Sequence, residues 1–210
     1  MARNKHPEET LEKIIATATQ LFMEKGYEQT SIQDILNTMN LSKGGLYHHF
    51  KSKEEILEAV MQKRTQYVID RLYDLIQNTT AENTKEKLKK ILYHLVTDTQ
   101  TQAFDTVLSS HIHSHFVVNG IQTAVKKDAP IICELIKAGI KDGSLHTAQP
   151  ELCSEVFLIL LNYWANPVLF GRNAIETKER LVYLKFMMAQ LGLDIIDDAF
   201  IDAIIESYRW

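Results

Sequence analysis

Residues 41–57 read LSKGGLYHHFKSKEEIL. Two adjacent glycines, Gly44 and Gly45, sit beside Tyr47, His48 and His49, with Lys43, Lys51 and Lys53 close by. Bare backbone next to aromatic, imidazole and ammonium groups suits contact with a polyanion. A glycine weakens a helix by about 1 kcal/mol relative to alanine. A pair of them in a helical stretch therefore needs a compensating reason, and close approach of the backbone to a partner is one.

A second stretch, HIHSH at 111–115, has the look of metal chemistry. On a helix His111 and His115 are four apart and share a face, a usable chelating pair, while His113 points away. Further ligands must come from elsewhere, and His94, His146, Cys133 and Cys153 are the available sources. The same pair also suits a haem iron or an anionic ligand. Surface or pocket-lining histidines are the plainer reading, so no metal is assigned and no cofactor is required. Enzyme signatures are missing: there is no GxSxG, Walker loop, GxGxxG or HExxH.

The elements that must carry these residues are helices. Four prolines and eight glycines in 210 residues are too few for a strand-and-turn protein, and 45% hydrophobic content can bury a core. Leu11, Ile14, Ile15, Ala18, Leu21 and Phe22 recur at helical spacing between Pro7 and Gly26, which predicts a first helix over about 8–25. Ser31 caps a second, with Asp34 three residues on. Asn40 fits the left-handed backbone of a tight turn. Ser42 caps a third, with Leu46 and Phe50 pointing to the core. Ser52 caps a fourth, reaching about Ile76 with Leu57, Val60, Met61, Val68, Leu72 and Leu75 on its buried side. Further helices are expected over about 85–99, 102–117, 120–141, 150–170, 174–192 and 196–207.

Two short helices joined by a tight turn, the second opening polar and basic, form a helix-turn-helix, whose second helix enters the major groove by its N-terminal residues. Net charge is −4, but residues 1–53 hold seven Lys/Arg against six Asp/Glu, so the basic character is local. TSIQDILNTMNLSKGGLYHHFKSKEEIL resembles the DNA-binding segment of the TetR family of bacterial transcriptional regulators. IIATATQLFMEKGYEQTS resembles that family's first helix. The resemblance covers about residues 9–60. It implies that Thr30 and Ser31 meet phosphate, that Gln33 reaches a base or phosphate, and that Lys43 and Gly44 lie at base edges. Tyr47, His48 and Lys53 then grip the backbone, with His49 doing likewise. Leu36 and Thr38 stand where the family often has alanine, Asn40 where it often has glycine, and Gly45 where Thr or Ser is frequent.

The expected architecture is all-α: a three-helix N-terminal DNA-binding domain over 1–53 and a larger helical ligand-binding and dimerisation domain over 54–210, about nine to ten helices in all. VFLILLNYWANPVLF is apolar nearly all round, as is LVYLKFMMAQLGL, so the helices at about 150–170 and 174–192 are the expected homodimer surface. Aromatic and polar groups mixed into apolar faces mark candidate small-molecule contacts: Tyr67, Tyr93 and His94, then Phe104, His111, His115 and Phe116, then Tyr163 and Trp164. Two cysteines without a CxxC suit a reducing cytoplasm, and no apolar leader or membrane-length segment is seen. The partners implied are a palindromic operator, a second copy of the chain and a small-molecule effector. The rival readings are a metal- or haem-sensing regulator using His111 and His115, and an interaction module of the same fold that does not bind DNA.

Overall fold

The computed structural model describes residues 7–102 and 114–208, with the side chains of Pro7 and of residues 114–116 left aside. Phe104, His111 and the side chains of His115 and Phe116 lie outside what is described. Among the described residues there are only helices and connections. Two compact units separate along the chain, within Met1–Val68 plus Gln100–His111 and within Ile69–Thr99 plus Ile112–Trp210.

In the first unit, α1 spans Pro7–Lys25 with Glu8 and Glu9 in its first turn and Lys25 in its last, the order the helix dipole favours. Its face of Ile14, Ala18, Leu21 and Phe22 is buried. Gly26 ends it in a left-handed conformation, φ 83°. The helix α2, Ile32–Met39, carries a complete capping box in which Ser31 and Asp34 satisfy each other's backbone N–H. Asn40 follows at φ 51°, the left-handed residue that the turn requires. Ser42 caps α3, Lys43–Tyr47, by accepting from the Gly45 N–H. The long α4, Lys53–Asn78, is capped by Ser52, whose Oγ accepts from the Glu55 N–H at 3.2 Å. Ile56, Leu57 and Val60 pack its N-terminal part inward, whereas Met61 and Val68 are only half-buried.

The second unit is built on the C-terminal part of α4 with α5, Thr84–Val96, and a long rod from 114 to 141. That rod comprises α6, Ser114–Thr123, a π-helical turn over Ala124–Asp128, and α7, Ala129–Lys141. Pro130 explains the turn. It has no N–H for the Lys126 carbonyl, and its ring crowds that carbonyl. The ladder widens, and the Ala129 N–H bonds to Ala124 O, five residues back.

The single helix expected over 150–170 is broken. It consists of α8, Pro150–Ile159, a π-helical turn over Leu160–Trp164, and α9, Pro167–Phe170. Pro167 disfavours helical backbone at Asn166, which instead caps the new turn with its side chain. Next comes α10, Ala174–Gln190, with its own capping box of Asn173 and Glu176. Gly192 is needed where the chain passes His146: a Cβ there would lie 2.8 Å from the His146 carbonyl carbon. The last helix is α11, Asp198–Ser207. Leu88, Ile91, Ile136, Phe157, Leu184 and Phe200 are among the residues that fill the core of this unit.

Candidate nucleic-acid interface

A five-residue helix cannot hold itself together. The α3 helix is fixed by what it buries. Leu46 is fully buried and Phe50 nearly so, and Gly45 lets Leu41 pack close, since a Cβ there would come 3.1 Å from Leu41 Cδ1. The opposite side faces out. Lys43, Gly44, Tyr47 and His48 are exposed, Tyr47 to 43%. Gly44 has nothing within 4 Å of where a Cβ would stand. Among the described residues, no neighbour demands a glycine there.

On α2, Gln33 is exposed and its amide donates to Asn37 Oδ1 at 2.8 Å. Asn37 shares that outer face, and sequence reasoning missed it, although two amides four apart were a legible signal. Ser31 is exposed, but its hydroxyl is committed to the cap, donating to Asp34 Oδ2 at 2.6 Å. Asp34 also accepts from the Ser31 N–H and lies 3.5 Å from Lys25. The two hydrogen bonds from Ser31 come first among the causes that hold its carboxyl below the usual carboxylate range.

Three of the expected backbone contacts are turned wholly or partly into the protein. Thr30 is completely buried, and its hydroxyl donates to Gly26 O at 2.8 Å and to Leu21 O at 3.2 Å. It locks the α1–α2 turn, and its side chain does not face a phosphate. His49 turns inward: its Nε2 is buried without a hydrogen-bond partner, and its ring sits edge-on to His48 at 5.2 Å. Lys53 is half-buried, and its ammonium donates to Tyr27 O at 2.9 Å and Thr30 O at 3.1 Å. A long, flexible stem let it reach carbonyls that are remote in sequence.

Among the candidate ligand contacts, Tyr93 and His94 lie exposed on α5, because its core face is formed by Leu88, Ile91 and Leu92. They stack edge-on to each other, ring centroids 6.1 Å apart, and do not line an interior. Tyr67 is half-buried on α4, within the first unit. Tyr163 and Trp164 are half-buried in the second π-helical turn: the Tyr163 hydroxyl packs onto Gly120, and the Trp164 ring lies 6.4 Å from that of Tyr183. His146 is exposed, while Cys133 and Cys153 are buried, Cys153 Sγ lying 3.0 Å from Thr147 Oγ1. No group of three or more His, Cys, Asp or Glu suited to a metal occurs among the described residues.

The profile of the bacterial regulatory proteins of the tetR family matches residues 14–60, from the core of α1 through both short helices into α4. The transcriptional repressor KstR2 of Mycolicibacterium smegmatis is 24% identical over 160 residues, 70% of this chain and 71% of that protein. Over residues 14–60, then, the chain carries the segment that defines the tetR family of bacterial regulatory proteins. IcaR of Staphylococcus epidermidis, a negative transcriptional regulator of the biofilm operon icaADBC, is 34% identical over 87 residues. That match covers 41% of this chain and less than half of IcaR, 45%. The fold is similar to that of a solved TetR-family regulator from Pectobacterium atrosepticum. The TM-score is 0.68 at 22% identity, with 91% of this chain and 98% of that one covered. The matched segment holds the parts of the first unit in order: α1 with its buried face, the capped α2, and a short α3 whose outer face is exposed. The relatives the chain matches are transcriptional regulators, and no described helix is long and apolar enough to cross a membrane.

Proposed function

We propose that this protein is a homodimeric transcriptional repressor of the TetR family that reads a palindromic operator with two copies of α3 and is released by a small-molecule effector bound in the second unit. The observation that carries the reading is the outer face of α3, where Lys43, Tyr47 and His48 flank an open Gly44. Lys43 and the Gly44 backbone face base edges, Tyr47 and His48 meet phosphate, and Gln33 with Asn37 flank them from α2. One such helix contacts few base pairs, so two half-sites about 34 Å apart supply the affinity.

The dimer surface we assign to α8 and α10. The α10 helix leaves Ile175, Val182 and Phe186 exposed at intervals of seven and four residues, Ile175 to 72% and Phe186 to 57%. Leu152 and Val156 do the same on α8. Two helices with apolar outer stripes, doubled by a second copy, make a four-helix bundle. An effector that favours one spacing of the reading heads shifts the population away from the DNA-competent state. The names of KstR2 and IcaR support the sign of regulation, since both are negative regulators.

The test is a binding titration against the DNA upstream of its own gene at rising salt, with unrelated duplex as competitor. Each phosphate neutralised contributes about −0.9 to the slope of log K against log salt. A steep slope with preference for the upstream DNA supports the proposal. Binding that ignores both salt and sequence counts against it.

A further inference from the structure

We infer that Lys53 is a positioning residue that clamps the start of α4 to the α1–α2 turn and so fixes α2 for DNA reading, rather than a phosphate contact. This rests on the DNA-binding reading above. The Lys53 ammonium has three N–H donors, and two are spent on main-chain carbonyls, Tyr27 O at 2.9 Å and Thr30 O at 3.1 Å. It also stands over the Tyr27 ring, 4.1 Å from the centroid. Two carbonyl dipoles and the face of an aromatic ring make a seat shaped for a compact cation.

The seat is anchored on both sides. Tyr27 is buried, with its ring edge-on to Phe22 at 5.2 Å, and its hydroxyl donates to Glu54 Oε1 at 3.3 Å. The first two residues of α4 therefore grip the same tyrosine. Thr30 is tied down by its own hydroxyl bonds to Gly26 O and Leu21 O. It directly precedes Ser31, the cap of α2. What fixes the Thr30 carbonyl fixes where α2 begins and, through the Asn40 turn, where α3 points. Lys43 differs: it is exposed on α3, with no comparable seat among the described residues.

The experiment compares the full-length wild type with Lys53→Met, which keeps most of the stem and removes the ammonium, and with Lys43→Met. Affinity for upstream and unrelated DNA is measured across salt, well below each protein's unfolding temperature. Amide hydrogen exchange of residues 28–34 is measured on the free proteins. The clamp predicts that Lys53→Met exchanges faster there without DNA present, loses about tenfold in affinity for upstream DNA, loses little on unrelated DNA, and keeps the wild-type salt slope. Lys43→Met, which removes a proposed base-edge contact, also loses preference for upstream DNA but leaves the exchange of residues 28–34 unchanged. A Lys53→Met protein with wild-type exchange, equal loss on both DNAs and a slope shallower by about 0.9 overturns the inference.

If Lys53→Met does not fold, Lys53→Arg decides. A phosphate contact keeps its affinity with arginine. The clamp loses preference for upstream DNA and gains exchange, because a planar guanidinium does not fit the ammonium's seat. A wild type that shows no preference for upstream DNA speaks against the regulator reading. Exchange in the free protein still decides the clamp in that case.

Discussion

Replacing Gly44 with alanine separates the demands of the fold from those of the partner. In the free protein the new methyl meets nothing within 4 Å, so no clash opposes it. Gly44 is the second residue of α3, where alanine's better helix propensity is worth about 0.5 kcal/mol, the low end of the usual range. Gly44→Ala should leave the free protein as stable as the wild type or slightly more so. Against DNA the sign reverses. A methyl carbon stands about 1.5 Å off the backbone. If the backbone lies in contact with the duplex, that distance must open somewhere, and hydrogen bonds of about 2.7–3.2 Å do not survive it. Loss of one such contact costs about 1–3 kcal/mol per subunit. Two subunits bring this to roughly 2–6 kcal/mol, at least about thirtyfold in affinity. Gly45→Ala is the control. Its methyl points into the protein, 3.1 Å from Leu41 Cδ1 and 3.3 Å from Ser42 Oγ, so its effect belongs to the stability of the free protein. The assays are urea unfolding of each variant and fluorescence anisotropy on upstream DNA. The reasoning is refuted if Gly44→Ala binds within about twofold of wild type, or if Gly45→Ala binds more weakly than Gly44→Ala.

Thr30→Val should cost about 1–2 kcal/mol of stability in urea unfolding, through the lost bonds to Leu21 O and Gly26 O, while leaving the salt slope of DNA binding intact. A shallower slope with unchanged stability would restore Thr30 to the DNA contacts. Phe186→Glu should leave the monomer folded, because that side chain is already 57% exposed, but weaken self-association by more than about tenfold in sedimentation velocity. Its DNA binding should fall with the dimer, and an unaltered dimer would move the interface away from α10. Tyr27 should report on the alkaline limit of the first unit. Burial first, and then the Glu54 carboxylate, push its phenol up to about 12 from the ordinary value of 10.0. The folded state thus favours the protonated phenol, and the stability this contributes below pH 10 is lost as pH rises toward 12. Melting temperature should fall across that window in the wild type and less steeply in Tyr27→Phe. Parallel curves for the two proteins would show that the phenol is not responsible.

What the sequence disclosed was local chemistry. Ser31, Ser42, Ser52, Asn40 and Gly26 each act within a few residues of their own position, and each does in the structure what its type and spacing suggested. Apolar spacing likewise marked Ile14, Ala18, Leu21, Phe22, Leu46 and Phe50 as core. What the sequence did not disclose has a different cause. Thr30 and Lys53 were recognisably polar, but their partners are carbonyls at positions 21, 26, 27 and 30, and no periodicity says which way a side chain turns. For Tyr93 and His94, mixed composition does not tell a surface from a pocket, whereas the phase of Leu88, Ile91 and Leu92 puts both on the exposed side of α5. The break near 165 was readable in Asn166-Pro167, yet the strength of the flanking apolar run hid it.

These two kinds of outcome bear on how the reading head is built. An α3 of five residues draws almost nothing from helix propensity, and two of the five are glycines. Its orientation must therefore be imposed from outside: by Leu46 and Phe50 in the core, by Leu41 lodged against Gly45, and by the turn at Asn40. The α2 helix that carries this turn is itself set by Thr30 and the Lys53 seat. In the proposed mode of DNA reading, specificity rests on groups packed within the first unit, while the exposed face can change sequence without disturbing that scaffold. Gly44 belongs to the face and Gly45 to the scaffold, although they are adjacent and identical in type. The distinction lies in which way each Cβ would have pointed, which the one-letter sequence does not carry.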